Sequence, residues 1–106
     1  MDQREREIKF RIWDNLVKEM LKVVSHNFKL GMPNGCYMMQ FIGLKDKNGK
    51  EIYEGDILRI KNKDGYTIRK VQWDNEKLRF NHILKIHQKC YEVIGNIYEN
   101  PELLND

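Results

Sequence analysis

The sequence predicts a small, mostly β-sheet protein, and three observations support this prediction. Apolar and polar residues alternate with the two-residue period of strands, most clearly in residues 8–13. Turn-forming residues separate such segments at the spacing of about 8–12 residues that is typical of barrels and sandwiches. The chain has 106 residues, of which 41% are apolar and 33% charged. These values fit one soluble domain and exclude a disordered chain.

The first half of the chain contains two predicted strands and one ambiguous segment. In residues 8–13, Ile8, Phe10 and Ile12 lie on one face of a strand. Apolar residues of 16–24 have helical spacing, but two of them are β-branched. A short helix and a turn followed by a strand from residue 20 therefore both remain possible. Residues 25–36 are predicted to be a loop, and residues 37–42 a strand. Asn48-Gly49 predicts a tight turn.

The second half contains the clearest hairpin. Residues 57–61 and 66–73 flank Asp64-Gly65, a dipeptide that favours a two-residue turn. Such a turn would place Arg59 opposite Lys70 and Lys63 opposite Tyr66. Residues 91–98 are a last strand with a bulge or close backbone approach at Gly95, and residues 102–104 a short helical cap.

This pattern favours one domain over residues 1–106, with a small SH3-like β-barrel and an additional N-terminal β-hairpin and loop region. We expect the N-terminal β region and turn-rich loop to cover residues 1–53, and the barrel portion to cover 54–106.

Charge and targeting signals indicate the compartment. The net charge is +3, but residues 91–106 contain four acidic and no basic side chains. The N-terminus lacks the apolar region of a signal peptide, and no apolar run is long enough to span a membrane. We therefore expect a cytoplasmic protein without membrane contact, in which Cys36 and Cys90 are reduced.

Three stretches together resemble the YopX family of phage and prophage proteins. They are IKFRIWD at residues 8–14, FIGLKDKNGKEIYEGDI at 41–57 and YEVIGNIYENPELL at 91–104. The resemblance implies a mostly-β fold with an SH3-like barrel and a phage or prophage origin in a bacterial host. It implies no established activity and no catalytic residues. It also favours the turn-then-strand interpretation of residues 14–24.

Candidate metal and catalytic groups are present without a supporting pattern. His82, His87 and Cys90 lie close together in sequence and Cys36 could join them, but their spacing matches no common zinc site. A Cys–His nucleophile, which could also use His26, lacks a local orienting group or oxyanion hole. We therefore predict no catalytic, metal-binding or cofactor-binding residues.

Loop carboxylates also lack a catalytic signature. The acidic side chains of the segment between Gly43 and Gly55 and just beyond it are expected to be solvated, which would leave their pKa values unshifted. The same segment lacks the glycine-to-helix order of a phosphate-binding loop. These carboxylates are Asp46, Glu51, Glu54 and Asp56.

A basic face on the 57–73 hairpin is the best functional signal. Basic side chains beside an aromatic ring are suited to single-stranded nucleic acid, although a solvated strand face has the same pattern. The candidate nucleic-acid-binding residues are Arg59, Lys61, Lys63, Tyr66 and Lys70.

The sequence favours a non-enzymatic accessory protein that binds another protein, or a second copy of itself, through strand edges or an exposed barrel surface. An exposed apolar patch including Trp13, Met38 or Tyr98 would support this hypothesis. The alternative is a nucleic-acid-binding module that uses the basic face. A small hydrolase would require a pocket joining His82 or His87 to a carboxylate. No cofactor or small-molecule substrate is predicted.

Overall fold

A computed structural model describes residues 8–23, 34–81 and 83–104 of the chain. Nine strands and two short 3₁₀ helices follow one another in these ranges. The strands are β1 Phe10–Asp14, β2 Glu19–Val23, β3 Cys36–Lys45, β4 Glu51–Tyr53, β5 Asp56–Asn62, β6 Gly65–Lys70, β7 Trp73–Asp74, β8 Arg79–Phe80 and β9 Tyr91–Asn96. The 3₁₀ helices are Lys85–Cys90, between β8 and β9, and Pro101–Leu104, after β9.

The strands form three antiparallel sheets, which confirms the mostly-β prediction. Their orders are β2-β1-β3-β4, β6-β5-β9 and β7-β8. The pairings within the described ranges do not join these sheets into a closed ring. The predicted loop over 25–36 falls largely on residues 24–33, which lie outside the described residues, as do His26 and His82.

The ambiguous segment after β1 is a turn followed by a strand. The Asp14 carboxylate accepts the backbone N–H of Leu16 at 2.9 Å and that of Val17 at 3.4 Å, and Lys18 adopts a positive φ of 60°. Strand β2 then pairs with β1 along its whole length. A side chain that accepts local backbone donors stabilises a turn at the expense of a helix. The turn-then-strand interpretation is therefore confirmed.

The β5–β6 hairpin forms where predicted, but the predicted register is wrong by two residues. Asn62 pairs with Gly65, Lys61 with Tyr66 and Arg59 with Ile68, so the turn residues are 63 and 64. The Asn62 side chain accepts the N–H of Asp64 at 3.0 Å, and Gly65 takes the positive φ of 129°. A shift of two residues keeps each side chain on its predicted face and changes only its partner.

Two clusters of buried side chains form the core. Trp13, Met39, Phe41 and Tyr53 make the first cluster, and Ile52, Leu58, Val71 and Tyr91 the second. Neighbouring residues of a strand point to opposite faces, so β4 contributes to both clusters through Ile52 and Tyr53. In β1 the buried side chains belong to Arg11 and Trp13, on the face opposite to the one that carries Phe10 and Ile12.

The end of the chain follows the prediction. The pairing of β9 with β5 shifts register between Gly95 and Val93, as expected for a bulge. A Cβ atom added to Gly95 would lie 2.5 Å from Asn100 Oδ1, so this glycine also permits a close approach. The helical cap is the 3₁₀ helix Pro101–Leu104.

Candidate interaction surfaces

The five residues of the predicted basic face do not form one continuous site. Arg59 donates a hydrogen bond to Glu92 Oε1 at 2.5 Å, and its guanidinium lies 4.6 Å from the centre of the Tyr66 ring. Arg59 is thus neutralised within the fold, and one face of Tyr66 is covered. The Arg59 interaction lowers the pKa of Glu92, mainly through the hydrogen bond between the two side chains.

The three lysines of that face lie in different surroundings. Lys61 is exposed and lines a cleft described below, whereas Lys63 is an exposed turn residue. Lys70 pairs with Ile57, whereas the sequence predicted that it would pair with Arg59. Lys70 lies four residue steps along β6 from Tyr66, which corresponds to roughly 13 Å. Lys70 therefore lies near a second surface.

That second surface is aromatic, and we define the aromatic surface as Tyr37, Met38 and Tyr98. The rings of Tyr37 and Tyr98 stack with centres 5.0 Å apart and planes 16° apart. Tyr37 is 44% exposed and Met38 is 40% exposed, whereas Tyr98 is half-buried. Met38 and Tyr98 also line a hollow of about 180 Å³ with Lys70 at its rim.

Trp13 packs beneath the aromatic surface. It is 3% exposed, so it is a core residue and not part of the exposed patch that the sequence suggested. Its ring stacks on Tyr98 with centres 6.4 Å apart. Burial raises the pKa of Tyr98, and the neighbouring Tyr37 adds to this effect. The ring of Tyr98 is therefore held in place by the buried Trp13, while the ring of Tyr37 on it is exposed to solvent.

A cleft of about 520 Å³ lies beside the turn end of the β5–β6 hairpin. Its lining includes His87, Cys90 and Asp74, which are the residue types that hydrolytic chemistry would need. None of the three side chains is hydrogen-bonded to another, and Asp74 Oδ1 instead accepts the N–H groups of Glu76 and Lys77 at 2.9 and 3.2 Å. Among the residues that the structure describes, the cleft thus contains these groups without the relay that would activate a nucleophile.

Metal-binding groups are likewise not assembled in the part of the chain that the structure describes. Among residues 8–23, 34–81 and 83–104, no three His, Cys, Asp or Glu side chains are arranged to hold a metal ion. Both Cys36 and Cys90 are free thiols. Cys90 packs against the second core cluster.

A buried ion pair was missed by the sequence analysis. Asp56, expected to be solvated, is 1% exposed and bonds to the Arg11 guanidinium, and it accepts the Tyr53 N–H at 2.8 Å. The guanidinium also lies 4.5 Å from the centre of the Tyr53 ring. Burial raises the pKa of Asp56, and the Arg11 charge partly offsets this. All partners belong to the fold, so this pair has a structural role.

Asp46 is a second carboxylate that was expected in solvent and is buried. Its Oδ1 accepts the N–H groups of Asn48 and Lys50 at 2.8 and 2.9 Å, and its Oδ2 accepts that of Val93 at 2.9 Å. The first two bonds hold the turn that follows β3. The third bond ties this turn to β9.

Comparison with known proteins assigns a family and a fold. The family model described as "YopX protein" matches residues 24–105, which confirms the resemblance seen in the sequence. The crystal structure of protein EF1440 from Enterococcus faecalis is similar to this chain, with a TM-score of 0.68 and 29% identity. The match covers 94% of this chain and 99% of that one. No curated protein matches the sequence.

The helices in the described part of the chain are too short to cross a membrane.

Proposed function

The chain belongs to the YopX family, and from this premise we propose that it is a non-enzymatic phage or prophage accessory protein that binds another protein in the bacterial cytoplasm. The family supports the phage origin, and the similar structure from Enterococcus faecalis fits a bacterial host. The aromatic surface is the proposed contact site for the partner.

The stacked pair of Tyr37 and Tyr98 is the observation that carries this proposal. Aromatic side chains that are held in place at a surface contribute most to protein–protein binding, because little side-chain entropy is lost on association. Tyr98 is fixed by its stacking on Trp13, and the exposed ring of Tyr37 stacks on it. Met38, the next residue of β3, lines the hollow beside Tyr98. The hollow next to Met38 could accept an apolar side chain of the partner.

Affinity capture from phage-infected or prophage-induced cells tests the proposal. The wild-type chain should retain a protein partner with and without nuclease, and Met38→Glu or Tyr37→Ser should reduce this recovery by about tenfold. Ile8→Glu is the matched control, because Ile8 is 57% exposed just before β1, outside both the aromatic surface and the cleft, and should leave recovery unchanged. Light scattering of the purified chain distinguishes a partner from a second copy. Recovery that disappears with nuclease, or that the control reduces equally, would contradict the proposal.

The SH3-like barrel is part of the same proposal. The three-stranded sheet β6-β5-β9 and the packing of Ile52 from β4 against Leu58 and Tyr91 support it. An experimental structure in which β4, β5, β6 and β9 surround this second cluster as one curved barrel would establish the class. Flat, separate sheets would exclude it.

Nucleic-acid binding is the second candidate, because Lys61, Lys63 and Tyr66 are exposed at one end of the hairpin. Oligonucleotide affinity should then fall steeply with salt, and Lys61→Glu should weaken it. Glu92→Gln should strengthen it, since this change releases Arg59 from its ion pair. If Lys61→Glu and Glu92→Gln both leave oligonucleotide affinity unchanged, this face does not bind nucleic acid.

The non-enzymatic part of the proposal has its own test. His87 is the candidate base of the cleft, and it lacks a hydrogen-bonded carboxylate in the described structure. A panel of ester, phosphate, peptide and glycoside substrates should show no turnover above that of His87→Ala. Turnover that depends on His87 and varies with pH would make the chain a hydrolase.

A further inference from the structure

The cleft beside the hairpin has a strongly positive lining. Lys61 enters from β5, and Lys77 and Arg79 from the β7–β8 hairpin, and all three side chains are exposed. None of the three forms an ion pair within the described ranges. Asp74 is the acidic residue of this lining, and its Oδ1 already accepts two backbone donors of its own turn. The cleft therefore favours an anionic ligand.

The floor of the same cleft is apolar and aliphatic. Ile60 and Ile83 form part of it and pack against the second core cluster, and Leu84 is half exposed beside them. The ring of Tyr91 is buried, and its hydroxyl is hydrogen-bonded to the N–H and carbonyl of Leu84 at 2.8 and 3.1 Å. The aromatic ring in this lining is therefore closed to stacking by a nucleic-acid base.

We propose that this cleft binds an acidic peptide segment that carries leucine or another aliphatic side chain and belongs to a partner protein. The three cations match carboxylates, and the floor matches an aliphatic side chain. A volume of about 520 Å³ lies in the usual range of ligand pockets. This inference concerns a surface separate from the aromatic surface, so either site can fail without the other.

Fluorescence anisotropy with a labelled peptide of alternating Glu and Leu tests the proposal. This peptide should bind the wild-type chain, and replacing its Glu residues by Gln, or its Leu residues by Ser, should weaken binding by at least about tenfold. Lys61→Glu and Arg79→Glu should each weaken it by at least about tenfold as well. Lys70→Glu is the matched control, because it makes the same charge change outside the cleft and should alter affinity less than about twofold.

Amide chemical shifts of the wild-type protein provide a measurement that does not depend on any variant folding. Titration with the Glu–Leu peptide should shift the resonances of Asn81, Leu84 and Cys90 and leave those of Tyr37 and Met38 in place. Equal binding of the Gln peptide, equal weakening by Lys70→Glu, or shifts away from the cleft would overturn the proposal. So would a single-stranded oligonucleotide that displaces the peptide and binds more tightly.

Discussion

Arg11 and Asp56 connect strand β1 to the first residue of β5 through a pair of buried charges. Removing one partner leaves the other charge buried and uncompensated, which is the costly case for such pairs. We therefore expect Asp56→Asn to lower the free energy of unfolding by about 3 kcal/mol in urea denaturation. Arg11→Met combined with Asp56→Asn should cost less than the sum of the two single changes. Strictly additive losses would show that the pair is not coupled.

Glu51 gives the fold a pH dependence of predictable sign. Its hydrogen bond with Lys9 lowers the pKa of Glu51 from its ordinary value of 4.5, so the folded state holds this proton less tightly than the unfolded state. The resulting stabilisation is present above pH 4.5 and is lost as the pH falls through the lowered pKa. The Glu51→Gln variant should therefore lose less free energy of unfolding than wild type when the pH is lowered from neutral to acidic values.

One control variant accompanies this measurement. Glu102→Gln changes an exposed carboxylate with no ion pair in the described chain, and its acid denaturation should follow that of wild type. If Glu51→Gln and wild type lose equal stability between neutral and acidic pH, the Lys9 interaction contributes nothing.

The bulge in β9 depends on the side chain of Asn100. Asn100 Oδ1 accepts the N–H of Asn96 at 3.2 Å. The Asn100 side chain occupies the space that a Cβ atom at position 95 would need, so it fits only because residue 95 is glycine. We expect Gly95→Ala to destabilise the fold by about 1–3 kcal/mol, because the added atom displaces Asn100.

A double-mutant cycle distinguishes this clash from a general effect of the substitution. In an Asn100→Gly background the clashing side chain is absent, so Gly95→Ala should cost at least about 1 kcal/mol less than in wild type. An equal cost in both backgrounds, measured by thermal and urea unfolding, would mean that the strand and not Asn100 resists the added atom.

The β5–β6 hairpin shows which structural features a local sequence pattern can predict. Apolar and polar alternation predicted both strands, although β5 does not alternate in burial, because Asp56, Ile57 and Leu58 are all buried at its start. The register could not be chosen in the same way. Asp64-Gly65 favours a turn at residues 64 and 65. The Asn62 side chain instead accepts the Asp64 N–H and stabilises a turn at residues 63 and 64, which keeps each side chain on the same face of the hairpin.

The candidate sites depend on contacts that no local pattern contains. The residues of the Arg11–Asp56 pair are separated by 45 positions, so neither the alternation of β1 nor the turn at Gly55 revealed it. The 3₁₀ helix Lys85–Cys90 has no buried residue, and it therefore left no apolar period to recognise. Its position beside the hairpin nevertheless creates the basic cleft.

At the scale of the whole molecule, the two core clusters leave distinct surfaces at different ends of the β5–β6 hairpin. The aromatic surface lies near Lys70, and the basic cleft lies near Lys61. A chain that binds through both could bring two protein segments together. Because the surfaces use separate residues, changes at one should leave binding at the other intact.

Site-specific photo-crosslinking in phage-infected or prophage-induced cells tests the central claim most directly. A photoreactive phenylalanine analogue replaces Tyr37 in the aromatic surface or, as a control, the exposed Ile8 just before β1. Position 37 should give a discrete protein adduct that survives nuclease, and position 8 should not give this adduct. No adduct at position 37, the same adduct from both positions, or an adduct that nuclease removes would contradict the proposal that this chain binds a protein through its aromatic surface.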